Sequence, residues 1–136
     1  MNVNIYTMYL SRIYDAATAS RTASRLVAIV KKYKNMIPIP SRPGLDQRDA
    51  VLITYADQVR KEGEAPLHTL NQFCVRYLQG EISTVHVLPF FPWSSDDGFS
   101  VKDYRAVDPA YGGWADLRGI GRNFKLMVDG VINHAS

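Results

Sequence analysis

The 136 residues contain a single cysteine, Cys74. It has no internal partner, so the disulfide framework that staples small secreted domains is excluded. No apolar stretch approaches the ~20 residues that a helical membrane span requires. The first turns carry Tyr6, Tyr9 and Leu10, but Asn2, Asn4, Ser11 and Arg12 interrupt any leader-like core. No signal peptide is read, and a cytoplasmic protein without a membrane partner is expected. GxGxxG and Walker patterns are both missing, so the usual signatures of a nucleotide-binding domain are absent. Charge of one sign is scarce as well. The net charge is +3, and the excess gathers at Arg21, Arg25, Lys31, Lys32 and Lys34. No recognition motif accompanies these charges, so they read as the solvated face of a helix and no nucleic-acid partner is expected.

What is present is ordinary globular material: 46% hydrophobic and 21% charged residues, in a chain long enough to bury a core. Tyr6, Tyr9, Leu10, Ile13 and Ala17 recur at helical spacing over residues 5–17, and Ala23, Leu26, Val27 and Val30 over residues 22–33. Two amphipathic helices are expected, with a break near Asp15–Ser20. Pro38, Pro40, Pro43 and Gly44 then forbid regular structure. The chain thus reads as a helical extension (1–36), a proline-rich linker (37–49) and a region of different character (50–136).

In that third region Val51-Leu52-Ile53-Thr54-Tyr55 is a continuous apolar, β-branched run, the pattern of a strand buried on both faces. Residues 67–78 return to helical spacing through Leu67, Leu70, Cys74, Tyr77 and Leu78. Thr84 to Leu88 forms a second strand stopped by Pro89, and a long loop runs from Phe90 to Gly113. Residues 114–124 are helical again through Trp114, Leu117, Ile120 and Phe124. Gly119 and Gly121 each weaken that helix by roughly 1 kcal/mol relative to alanine. Lys125 to Val128 opens a third strand, expected to run to Ile132. Strand, helix, strand, helix, strand predicts an α/β fold with a parallel sheet and its crossover helices on the outside.

Parallel α/β folds collect functional groups at the carboxyl ends of their strands. Here those ends carry Tyr55-Ala56-Asp57, then Phe90 through Phe99, then Asn133-His134, all expected on one side. Aromatic faces that stack on sugar rings, with carboxylates and an imidazole for the hydroxyls, describe a carbohydrate pocket. Each residue also has a plainer reading. Asp57 suits a cap, Phe90, Phe91 and Trp93 suit a core, Asp96-Asp97-Gly98 suits a turn, and a lone His134 suits a structural role. Spacing alone leaves both readings open.

The longer motifs carry a resemblance. Leu52-Ile53-Thr54-Tyr55-Ala56-Asp57 is similar to the first-strand motif of sucrose-phosphorylase-type enzymes. Val85-His86-Val87-Leu88-Pro89-Phe90-Phe91-Pro92 resembles their second strand, and Ser94 through Val101 the loop after it. Tyr104 through Asp108, and Trp114 with Asp116, continue the likeness. Asp129-Gly130-Val131-Ile132-Asn133-His134 resembles the first signature region of the α-amylase superfamily. The likeness covers residues 50–136 almost without gaps. The N-terminal helices, Asn71-Gln72-Phe73 and the Pro92–Asp97 loop look more like the glucosylglycerate phosphorylase branch.

That resemblance implies the first three strands of a (β/α)8 (TIM) barrel behind an N-terminal helical extension. It implies a retaining α-glucoside phosphorylase, which passes glucose from sucrose or a glucosylglycerate-like α-glucoside through a glucosyl-enzyme to phosphate. By position, Asp96 would grip glucose hydroxyls, Phe99 would form an apolar platform beside the ring, and His134 would hydrogen-bond the same sugar. Asp57, Asp129 and Asn133 would support the site. Asn133 stands where many amylases bind calcium, a metal the phosphorylases do not generally use. No metal and no cofactor are therefore expected, only inorganic phosphate as co-substrate. The family's nucleophile, acid/base and third essential carboxylate follow its fourth, fifth and seventh strands, which these residues do not include. The 136 residues alone are expected to be inactive. Two departures bear on integrity: Gly113 replaces a capping Thr or Ser before Trp114, and Gly130 falls where the third strand is expected. An α-amylase-type hydrolase or transglucosidase, and a non-catalytic carbohydrate-binding or structural remnant, are the alternatives.

Overall fold

The computed structural model describes residues 3–37 and 44–132, so Pro38, Pro40, Pro43, Asn133 and His134 lie outside the described residues. The chain separates into two compact units, Met1–Gly44 and Leu45–Ser136.

In the first unit α1 spans Val3–Leu10 and α2 spans Ala16–Lys34. The second helix starts well before residue 22, because Asp15 sits extended at its N-cap and its carboxylate accepts the Thr18 amide at 3.0 Å. That bond satisfies one of the orphan donors of the first turn. Sequence spacing overlooks this turn because residues 16–19 are small and carry no large apolar side chain. Ala19, Ala23 and Val27, spaced by four, are buried, and α1 packs against α2. Arg21, Arg25, Lys31, Lys32 and Lys34 are all exposed.

The bond from Thr18 holds the Asp15 carboxyl below its usual range. A depressed carboxylate contributes stability above its unfolded value of 3.8, and that contribution is lost as pH falls through the folded value. The helical signal of a peptide covering α1 and α2 is therefore expected to hold from neutral pH down to about pH 5, then to fall as the cap protonates. An Asp15→Ala peptide that shows the same acid limb would refute this.

In the second unit β1 (Val51–Thr54), β2 (Thr84–Val87) and β3 (Lys125–Val128) form a parallel sheet in the order β1-β2-β3. The crossovers carry α3 (Pro66–Tyr77) and α4 (Trp114–Asn123). Pro66 occupies the first turn of α3, where no amide partner is needed. The register aligns Leu52, Val85 and Leu126 in one row and Ile53, His86 and Met127 in the next. Alternate rows point to opposite faces. Val85 and Val87 are fully buried in one core with Leu67, Leu70 and Cys74 of α3 and with Leu117 and Ile120 of α4.

The other face is open. Val51 is 47% exposed, Ile53 62% and Met127 50%. This corrects the expectation that β1 is buried on both sides: its burial alternates, because both helices cover a single face of the sheet. The third strand also stops at Val128, four residues before Ile132, so Gly130 lies past the strand and a side chain there would meet open space. Nor is the α4 terminus bare at Gly113. The Asp116 carboxylate reaches back to accept the Gly113 amide at 2.9 Å, which supplies half of a capping box. Gly119 has a packing reason as well, since a Cβ there would stand 3.1 Å from Asn71 Nδ2 of α3.

Among the described residues the sheet shows an apolar face and two strand edges without a ladder partner, features that recruit partners. The purified 136-residue chain is expected to self-associate, its size-exclusion volume shrinking as concentration rises. A monomer at every concentration would contradict this.

Candidate functional site

The parallel sheet brings the carboxyl ends of β1 and β2 side by side. Between them Tyr55, Asp57, Trp93, Asp97 and Tyr111 line a cleft of about 280 Å3. Asp57 does not cap α3, whose N-cap is Ala65. Its carboxylate pairs instead with the Arg60 guanidinium, and its backbone carbonyl accepts Arg60 Nε at 3.2 Å. Tyr111 closes the far side, and burial pushes its phenol above the ordinary tyrosine range. Its segment is pinned by backbone bonds from the Asp108 amide to Phe90 O at 2.9 Å and from the Leu67 amide to Tyr111 O at 3.0 Å.

The loop after β2 divides its aromatics between core and cleft. Phe90 and Phe91 turn inward with ring centroids 4.4 Å apart, and Trp114 meets Phe90 edge-on at 5.9 Å. Trp93 faces the cleft. Beyond it the chain makes a small hairpin: Trp93 bridges Val101, Ser94 N–H donates to Ser100 O at 3.0 Å, and Lys102 N–H donates to Pro92 O at 2.8 Å. Its tip is a single 3₁₀ turn, Asp96–Gly98, closed by Phe99 N–H on Asp96 O at 2.8 Å.

That tip is strained. Asp96, Asp97 and Gly98 have φ of +60°, +47° and +98°. Aspartate tolerates the left-handed region better than most residues, but such residues still store energy. Gly98 has no substitute, because a Cβ would sit 2.7 Å from Pro89 O. The turn sends its residues different ways. Asp96 is exposed, Asp97 lines the cleft, and Phe99 packs half-buried on the core.

Asp129 follows β3, and its carboxylate accepts His86 Nε2 at 3.0 Å. His134 and Asn133 lie outside the described residues. The structure thus gathers Asp57 and Asp97 at one cleft and ties Asp129 to β2. Sequence reading overlooked Tyr111 and His86 as members of the site. For His86 the signal was parity: it alternates with buried Val85 and Val87, so it must face the opposite side of the sheet. Among the described residues no group of three or more His, Cys, Asp or Glu side chains assembles to hold a metal. A second, apolar groove of about 490 Å3 lies between α4 and β3, lined by Phe90, Phe91, Trp114, Leu117, Leu126 and Val128.

A three-stranded parallel sheet with both crossover helices on one face, and a polar, aromatic rim at the strand ends, is the opening of a (β/α)8-barrel enzyme. No protein-family model matches the chain. Glucosylglycerate phosphorylase of Spirochaeta thermophila is 50% identical over 93% of the chain, which spans 23% of that protein. Sucrose phosphorylase of Streptococcus mutans is 43% identical over 63% of the chain, which spans 17% of it. The crystal structure of sucrose 6F-phosphate phosphorylase from Thermoanaerobacter thermosaccharolyticum superposes with a TM-score of 0.60 at 34% identity, covering 68% of this chain and 18% of that one. The chain is similar to the glucosylglycerate and sucrose phosphorylases over most of its own length, and it spans about a fifth of the length of these relatives.

Proposed function

We propose that these residues are the opening part of a retaining α-glucoside phosphorylase, one that cleaves glucosylglycerate-like or sucrose-like α-glucosides with inorganic phosphate to give glucose 1-phosphate. The observation that carries this reading is the extent of the likeness to glucosylglycerate phosphorylase. At 93% of the chain it must take in most of the helical unit Met1–Gly44 as well as the sheet. The sucrose phosphorylase match at 63% is short enough to leave that unit out, which favours the glucosylglycerate branch.

In this reading Asp96, Phe99 and His134 hold the transferred glucose. Asp57, Asp129 and Asn133 support them, and no metal or organic cofactor takes part. The exposure of Asp96 on a strained turn suits a carboxylate that accepts sugar hydroxyls. Phe99 rests on the core and offers a fixed apolar edge. The nucleophile and the acid/base lie on strands that these residues do not contain, so the 136-residue chain by itself forms no glucosyl-enzyme.

The test is to incubate the whole protein that carries these residues with glucosylglycerate, sucrose or sucrose 6F-phosphate, with and without phosphate. Phosphate-dependent appearance of α-glucose 1-phosphate is the expected result, and retention of the anomer marks the double displacement. Free glucose formed at the same rate without phosphate would replace this reading with a hydrolase. No product from any of them would leave a carbohydrate-binding remnant.

A further inference from the structure

We propose that His86 and Tyr104 are positioning residues: together they clamp the segment Asp129–Val131, which leads in sequence to His134, the residue that the phosphorylase reading assigns to the transferred glucose. The inference rests on the phosphorylase reading and adds two residues to it.

The segment needs holding. The third strand ends at Val128, so Asp129 and Gly130 have left the sheet ladder. Gly130 has open space around it and contributes no packing. Two arms reach the segment from separate elements. From β2, His86 Nε2–H donates to the Asp129 carboxylate at 3.0 Å. From the loop after β2, the Tyr104 hydroxyl donates to the Val131 carbonyl. One arm grips a side chain and the other the backbone, with Gly130 between them. The Val131 side chain is 5% exposed in the core, and the Ile132 amide turns back onto Gly130 O at 2.8 Å.

Both arms are themselves anchored. His86 stands in register between Ile53 and Met127 on the face without helices. Those neighbours are largely exposed, yet the His86 side chain is only 12% exposed. An imidazole so enclosed needs a polar partner, and an ionised carboxylate can only accept, which assigns the proton to Nε2. The Tyr104 ring leans on Phe91 at 5.1 Å, and Phe91 belongs to the core. The clamp therefore links the segment to β2 and to the packed aromatics of the core. A displacement of about 1 Å at a group that touches the reacting sugar can cost about 100-fold in rate.

The test uses His86→Leu, His86→Gln and Tyr104→Phe in the whole protein carrying these residues. His86→Leu is expected to lower kcat for glucose 1-phosphate release about 10- to 100-fold, with a much smaller change in KM. Glutamine, which keeps an N–H donor, recovers most of the loss. In a His134→Ala background the leucine change adds little, because both act through one group. Unchanged kcat in His86→Leu and Tyr104→Phe, or full additivity with His134→Ala, overturns the proposal. A second readout needs no turnover: amide hydrogen exchange at Ile132 should quicken in His86→Leu and in Tyr104→Phe. If the unmodified protein releases no glucose 1-phosphate, the phosphorylase reading fails by itself and the exchange rate alone decides the clamp. An unchanged rate at Ile132 then rejects it.

Discussion

Phe90→Ala is expected to remove most of the folded population of the Leu45–Ser136 unit. Phe90 is 1% exposed and heads the largest fully buried side chains. Truncating a buried phenylalanine costs about 3–5 kcal/mol, through lost transfer energy and the cavity left behind. The ring also gives up its contacts to Phe91 at 4.4 Å and Trp114 at 5.9 Å, and aromatic pairs of this kind are worth about 0.5–1.5 kcal/mol beyond their area. Single domains have only about 5–15 kcal/mol in hand. Phe90 also occupies the junction between β2 and the loop that carries Trp93, Asp96 and Phe99, so the cleft should loosen with the core. Denaturant titration followed by tryptophan emission reads both, since Trp93 and Trp114 lie on either side of the change. Phe73→Ala, at a residue 37% exposed on α3, is the control and should shift the midpoint little. If the two variants unfold at the same denaturant concentration, the packing account of this junction is wrong.

Gly98→Ala should cost about 2–5 kcal/mol, the sum of placing an L-residue in the left-handed region and of forcing an overpacked contact. The φ of +98° supplies the first part and the Pro89 carbonyl, 2.7 Å from the added methyl, the second. Gly63 separates the two effects. Its φ is +77°, but nothing lies within 4 Å, so Gly63→Ala meets only the backbone penalty. The expected outcome is a fall in melting temperature at Gly98 at least twice that at Gly63. Under the proposed reading, in which Asp96 holds the transferred glucose, a weakened grip on the α-glucoside should appear at Gly98 only, because that turn carries Asp96. Equal shifts at the two glycines would mean that the loop yields to the methyl without cost.

The order of elements was legible because its signals are local. Leu67, Leu70 and Cys74 mark α3 by spacing, and Pro89 stops β2 by chemistry. The alternation that places functional groups past each strand follows from topology, so Asp57 and the loop after β2 could be nominated before any coordinates. What escaped depends on partners distant in sequence. The Val51–Thr54 run looks buried on both faces because its composition suits a strand with covers on either side, but only one cover lies within these residues. The His86–Asp129 bond joins positions 43 residues apart, and no window along the chain contains both. Tyr111 is drawn to the cleft by loop bonds to Asp108 and Leu67, which only folding creates. The early start of α2 escaped because Asp15 acts through a backbone amide, while periodicity counts side chains.

The sheet order β1-β2-β3 repeats the order of synthesis. Each strand therefore docks on the one made just before it, about 30 to 40 residues earlier by the registers Val51 to Thr84 and Thr84 to Lys125. Among the described strands none waits for a distant partner, and loop closure at each step is short and cheap in entropy. Assembly of this kind can keep pace with a ribosome that releases the chain from its amino end. Among the described residues β3 is an edge of the sheet, and its outward amides and carbonyls are set in register for any strand that pairs there, an intruding chain included.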